Sequence, residues 1–169
     1  MLKKNIVLIG MMAAGKTTIG FKLAKKLKFH FIDIDSQIEK SENKKIIDIF
    51  KDKGEEYFRK IEEKTTLKKL KLSSTVVSLG GGAFANKNIR NEVLKNHYSF
   101  WLNWNEKILV ERIKNSKKRP LTINATDNDL IDLIKKRTNI YSKALYEIKC
   151  DNLTKNEIVS KIKEIYETN

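Results

Sequence analysis

The chain has 169 residues, 40% of them hydrophobic and 33% charged, which suits one domain with a real core and excludes a disordered chain. No uninterrupted apolar run is long enough to span a bilayer, and the lone cysteine, Cys150, excludes an intramolecular disulfide and a cysteine-based zinc site. A formal net charge of +14 points either to an anionic partner or to a lysine-rich surface, as where Lys64 follows Glu62 and Glu63.

Met1-Leu2-Lys3-Lys4 opens like a signal peptide, but the apolar stretch behind it, Ile6 to Ile9, is short and runs straight into a glycine loop. The sequence predicts a core strand over Asn5 to Ile9 and a cytoplasmic protein. Gly10-Met11-Met12-Ala13-Ala14-Gly15-Lys16-Thr17 matches G-x-x-x-x-G-K-[ST] at every fixed position. A helix from Lys16 to Leu27 follows, with Ile19, Leu23, Ala24 and Leu27 on one face. Loop N–H groups and the helix N-terminus would wrap phosphates, Lys16 would reach the β- and γ-phosphates, and the Thr17 hydroxyl would hold Mg²⁺. Many such loops carry glycine where Ala13 stands, so the turn there must tolerate a Cβ. The motif implies a nucleoside triphosphate and leaves the phosphate acceptor open.

A second strand is predicted over Phe29 to Ile34. Period-two alternation sets Asp33 and Asp35 on one side of it, in the crevice where open α/β sheets bind ligands. One carboxylate would serve a metal and the other would accept a hydrogen bond from a hydroxyl. The alternative is a plain helix start, with Asp35 or Ser36 capping a helix over Gln37 to Lys40. Helices are expected over Ile46 to Phe50 and Glu55 to Leu72, the latter carrying Arg59. A third strand, Thr75 to Leu79, is apolar enough to be covered on both faces. It ends in Gly80-Gly81-Gly82, which permits close approach of a ligand or forms a plain flexible turn. Because no aspartate ends this strand, the magnesium role shifts to Asp33 with waters.

A fourth strand is expected over Tyr98 to Leu102, helices over Glu106 to Ile113 and Asp129 to Tyr141, and a last strand over Tyr146 to Cys150. The final helix opens with Thr154 and Glu157 at capping-box spacing. Asn115 to Asp127 is the most polar and irregular stretch and holds the single proline, Pro120. Arg119 in this loop would swing in to neutralise the transferring phosphoryl group, or the loop is simply a solvated basic segment. Arg137 sits on the following helix. Arg59 and Arg137 converging on one carboxylate would select a small acidic acceptor, or each is an ordinary surface arginine. The alternation of strands and helices predicts a parallel sheet with helices on both sides. His30 and His97 lack metal-ligand spacing. Trp101, Trp104, Met11 and Met12 read as packing residues.

Taken together, the loop Gly10 to Thr18, Asp33 and Asp35, Gly54 to Arg59, Gly80 to Gly82, Arg119-Pro120-Leu121 and Arg137 resemble the shikimate kinase family, in order and spacing, over nearly the whole chain. The resemblance implies an α/β, three-layer P-loop kinase fold: a five-stranded parallel sheet with helices on both faces and a mobile lid. It implies one domain over 1–169, with the lid near 113–127 and the shikimate-binding region near 33–61. It also implies transfer of the γ-phosphate of ATP to the 3-hydroxyl of shikimate, on the route to chorismate, by a monomer without nucleic-acid or membrane partners.

Lys16, Asp35 and Arg119 would then be catalytic. Ala13, Ala14, Gly15, Lys16, Thr17, Thr18, Arg112 and Arg119 would bind ATP, Arg112 beside adenine. Asp35, Arg59, Gly81 and Arg137 would bind shikimate, and Thr17 with Asp33, through water, would serve Mg²⁺. The chain departs from the family at Ala13, at Asn139-Ile140 where Pro-Leu is frequent before Tyr141, and near Asp151 to Thr154, where the adenine pocket has no clear match. Rival readings are another small P-loop metabolite kinase of gluconate kinase type, a nucleic-acid-binding ATPase, and a catalytically dead nucleotide-binding regulator.

Overall fold

A computed structural model describes residues 4–116 and 124–169. Five strands form one all-parallel sheet in the order β2-β3-β1-β4-β5: β1 Ile6–Ile9, β2 His30–Asp33, β3 Thr75–Ser78, β4 Tyr98–Asn103 and β5 Tyr146–Lys149. β1 and β3 are buried at every residue, as their unbroken apolar pattern requires of central strands. Val7 pairs with Val77 on one side and Ser99 on the other.

The helices are α1 Lys16–Leu27, α2 Ile34–Glu42, α3 Ile46–Leu70, α4 Lys87–Asn96, α5 Glu106–Ser116, α6 Asp127–Tyr141 and α7 Lys155–Thr168. The α3 span contains a break at Gly54, whose φ of 79° and ψ of 172° are not helical. Two expected helices are thus joined at a kink. The connection from β1 to β2 runs one way across the sheet, whereas those from β2, β3 and β4 run the other way. With right-handed crossovers this puts α1 on one face and α3 and α4 on the opposite one. α1 accordingly packs with α7, and α3 with α4. The reversal of direction falls between β1 and β3, so the crevice at their C-terminal ends is the expected ligand site.

Asn5 ties this frame together. Its Nδ2 donates to the carbonyls of Leu70 (3.0 Å) and Leu72 (2.6 Å), while its Oδ1 accepts from the Thr75 amide at 3.1 Å. One buried amide thereby fixes the exit of α3 and the entry of β3 beside β1. The helix α4 was not expected from the sequence. Its apolar stripe is thin, since only Ile89 and Val93 are buried. Its start is set by Asn86, whose side chain accepts from the amides of Asn88 and Ile89. The expected boundaries elsewhere hold to within a few residues, and the capping box of Thr154 and Glu157 is present. Among the described residues no helix is long and apolar enough to cross a membrane.

His97 caps the C-terminus of α4, with its side chain only 8% exposed and Glu92 3.6 Å away. Burial pushes its imidazole below the usual histidine range, and Glu92 only partly opposes this. The unfolded chain therefore takes up a proton more readily than the folded one. The stability contributed is present above the unfolded value near 6.5 and is lost as pH falls through it toward the folded value. We expect the thermal midpoint to drop over that interval and His97→Gln to remove this part of the slope. Melting curves at several pH values check it, and an identical slope in the variant would discount His97.

Candidate active site

The loop Gly10 to Thr17 leaves β1 and enters α1, with Gly15 as the helix N-cap and Lys16 as the first helical residue. No side chain caps this end and its first turn has no acidic residue, so the helix N-terminus presents its positive end to an anion. Lys16 is buried, and its Nζ donates to the carbonyls of Gly10 and Met11, each at 2.8 Å. The ammonium is thus held across the loop's own backbone. The loop borders a cavity of about 320 Å³ lined by Ala13, Lys16, Thr17, Asp33, Asp35 and Ser116, among others.

Ala13 stands at φ 63°, in the left-handed region. A Cβ there costs about 1–2 kcal/mol, against the roughly 0.5–1 kcal/mol of extra chain entropy that glycine would lose. Ala13→Gly is therefore expected to raise stability by about 0.5–1 kcal/mol, read as a higher urea midpoint. A lower midpoint would show that the turn accommodates Ala13 without strain.

The expected placement of Asp33 and Asp35 on one strand is corrected. β2 ends at Asp33, which is the N-cap of α2: its Oδ1 accepts from the Ser36 amide at 3.1 Å. The cap is Asp33, not Asp35 or Ser36. Asp35 lies in the first turn of α2, where a carboxylate complements the helix dipole. Local capping chemistry thus overrides the strand's period of two. Both carboxylates still reach the cavity. The second oxygen of Asp33 accepts from the Thr17 hydroxyl at 2.6 Å, so two hard oxygen donors meet at the edge of the phosphate loop. Among the described residues no cluster of three or more His, Cys, Asp or Glu forms a ready-made metal cage. The Thr17 hydroxyl and the Asp33 carboxylate are oxygen donors of the type Mg²⁺ takes one or two of alongside phosphates and water.

The three glycines after β3 make room for four charged side chains. A Cβ on Gly80 would stand 2.6 Å from Oε1 of Glu62 and 2.9 Å from Oδ1 of Asp35. On Gly81 it would stand 3.2 Å from Nη1 of Arg137, and on Gly82 2.6 Å from Nη1 of Arg59. The segment is therefore a packing surface for functional groups, not a flexible turn. It brings together Asp35, Arg59, Gly81 and Arg137, the four residues expected on the acceptor side.

Arg59 is held from two sides. Its Nη1 donates to Glu62 at 2.7 Å, and its Nε and Nη2 donate to Oε1 of Glu55 at 3.2 and 3.1 Å. Burial disfavours its charge, but these carboxylates more than compensate and hold the guanidinium above its ordinary range. Glu62 was missed in the sequence. The signal was available: the buried stripe of α3 runs Phe58, Glu62, Thr66, Leu70, and a glutamate at a core position of a helix needs a cationic partner. Arg59 lies one turn before it.

Trp101 and Trp104 are buried packing residues, as expected, and Trp104 has a further contact. Its Nε1 donates to the Ala14 carbonyl of the phosphate loop at 3.0 Å. Arg112 lies over the indole, with its guanidinium carbon 3.9 Å from a Trp104 ring centroid. The indole therefore links the loop to the expected nucleotide-contacting arginine. Past β5, Asp151 accepts from the Asn105 amide at 2.6 Å, tying the two loops at this end of the sheet. Of the expected lid over 113–127, residues 113–116 complete α5, and α6 begins at Asp127 behind a Thr126 cap. Lys114 pairs with Asp127 at 2.8 Å across the two helix ends. Arg119, Pro120 and Leu121 lie outside the described residues.

The family model for shikimate kinase matches residues 12–167. A shikimate kinase of Sulfurihydrogenibium sp. is 41% identical over 159 residues, covering 94% of this chain and 95% of the relative. One from Bacillus subtilis is 41% identical over 174 residues, covering 96% and 88%. The solved shikimate kinase of Acinetobacter baumannii in complex with shikimate superposes with a TM-score of 0.93 at 30% identity, covering 99% of this chain and 94% of that one. With that breadth of match, and with the phosphate loop and the arginine-lined glycine segment side by side, the chain belongs to the shikimate kinase family of ATP-dependent phosphotransferases.

Proposed function

We propose that this chain phosphorylates the 3-hydroxyl of shikimate from ATP, giving ADP, and that its site residues act as follows. One observation carries the reading: Asp35, Arg59 and Arg137 converge on Gly80–Gly82 next to the phosphate-loop cavity. Two guanidinium groups and one carboxylate suit a small acid that also bears hydroxyls. Arg59 and Arg137 bind the carboxylate of shikimate, and Asp35 orients the attacking hydroxyl.

As the new oxygen–phosphorus bond forms and the bond to the ADP oxygen breaks, the hydroxyl proton passes to Asp35. Lys16 leaves the Gly10 and Met11 carbonyls to meet the β- and γ-phosphates, and Arg119 adds a second positive charge. Thr17 and Asp33 would hold Mg²⁺, which when bound with ATP neutralises phosphate charge. Arg112, backed by Trp104, contacts adenine. Most of the rate gain then comes from alignment and charge placement. The chain acts as a cytoplasmic monomer of one domain, with a shikimate-binding region over 33–61 and a lid over 113–127.

A coupled ADP-release assay tests this with shikimate, gluconate, nucleoside monophosphates and DNA supplied separately. Release dependent on shikimate, with phosphorylated shikimate seen by mass spectrometry, is the expected result. Release with another acceptor would keep the phosphate-loop assignment and reject that of Asp35, Arg59 and Arg137. Stimulation by DNA would transfer the explanation to the basic surface.

A further inference from the structure

Tyr141 ends α6, one turn beyond Arg137, and is 3% exposed. Its hydroxyl donates to the Gly81 carbonyl. The Met11 sulfur lies 3.8 Å from the same hydroxyl and 3.7 Å from Nη1 of Arg137. The Gly80 carbonyl is held separately, accepting from the Ala83 amide at 3.1 Å. Two successive peptide planes of the glycine segment are therefore anchored, the second by Tyr141 alone of these contacts. Glycine backbone is otherwise the most conformationally free in the chain, and this stretch supports both arginines. A rotation of the peptide between Gly81 and Gly82 would move the surface under Arg137 and the surface under Arg59 relative to each other.

We propose that Tyr141 is a positioning residue for the acceptor site: by holding the Gly81 carbonyl it sets the spacing of the Arg59 and Arg137 guanidinium groups for a single carboxylate. Met11 joins this arrangement to the phosphate loop through its sulfur, so the same contact touches both halves of the site. Trp101, with its ring centroid 6.2 Å from that of Tyr141, supports the ring from the sheet side. The phenol is thus fixed by packing, and the hydroxyl supplies the aim. The inference rests on the acceptor being shikimate.

Tyr141→Phe tests it by keeping the ring and removing the donor. The expected result is a KM for shikimate raised about tenfold, the loss of one buried hydrogen bond, with KM for ATP unchanged. Tyr166→Phe serves as the control, since Tyr166 donates to the Lys4 carbonyl at 3.0 Å far from the site; it should lower the melting temperature without moving either KM. Placing 4-aminophenylalanine at position 141 restores a donor on the same ring and should restore the shikimate KM. A Tyr141→Phe enzyme with the wild-type shikimate KM, or a 4-aminophenylalanine enzyme no better than the Phe variant, overturns the proposal. Should the Phe variant fail to fold, the wild-type chain labelled with ¹⁵N-glycine decides: shikimate must shift the Gly82 amide resonance, and an unmoved resonance overturns the role. Wild-type enzyme that releases no ADP with shikimate would instead reject the proposed function and not Tyr141 specifically.

Discussion

Asp35→Ala is expected to lower kcat for shikimate phosphorylation by about 10²–10⁴-fold, the range for removing a positioned proton acceptor, while leaving ATP affinity intact. The two effects should separate because, in the proposed function, different elements hold the two substrates. The phosphates would be met by loop amides, Lys16 and the start of α1. The Asp35 carboxylate instead borders both Gly80 and the cavity beside the loop, where an acceptor hydroxyl must sit to face the γ-phosphate. Its place in the first turn of α2, behind the Asp33 cap, gives it a rigid base. Asp35→Asn refines the test, since an amide still accepts a hydrogen bond but takes up no proton. If Asn retains much of the rate that Ala loses, orientation dominates. If both lose it equally, proton acceptance dominates. Calorimetry with a non-hydrolysable ATP analogue supplies the binding half, and near-normal turnover by Asp35→Ala would sink the assignment.

The sheet was readable because its signals are local. The buried strands β1 and β3, an amphipathic α1 and the phosphate motif each declare themselves within a dozen residues, whereas the strand order β2-β3-β1-β4-β5 is set by long-range pairing that no local signal carries. The acceptor site was readable only in part. Arg59 and Arg137 are 78 residues apart in the sequence, and nothing local says that they meet. The family resemblance supplied that link, and the glycine segment gives its physical reason. Glu62, Trp104 and Tyr141 were overlooked for a shared cause. Each acts through another group, whether Arg59, the Ala14 carbonyl or the Gly81 carbonyl, and a supporting contact has no motif of its own. The Asp33 to Asp35 error has a different origin. Alternation does not extend the two residues from Asp33 to Asp35, because the Asp33 cap already satisfies the amide of Ser36 and turns the chain into a helix.

Arg59→Lys is expected to raise the shikimate KM by about 10–100-fold, because charge-assisted hydrogen bonds are worth about 1.5–3 kcal/mol and each 1.4 kcal/mol is tenfold. Lysine keeps the charge but replaces a planar fork with a point. It also cannot reproduce the three donations by which Glu55 and Glu62 aim the guanidinium. A second variant reaches the same group without touching its chemistry. Gly82 has φ −100° and ψ −12°, a conformation open to alanine, so Gly82→Ala should fold normally. Its new Cβ would nevertheless stand 2.6 Å from Nη1 and 2.9 Å from Nη2 of Arg59, and the guanidinium must move aside. Gly82→Ala is therefore expected to weaken shikimate in the same direction as Arg59→Lys, with ATP unaffected. The double variant should be little worse than the worse single one, since both act on one contact. Steady-state kinetics with shikimate varied at saturating ATP measures all three. An unchanged shikimate KM in Arg59→Lys would remove Arg59 from the acceptor site. Fully additive effects would show instead that Gly82 acts on the acceptor by a separate route.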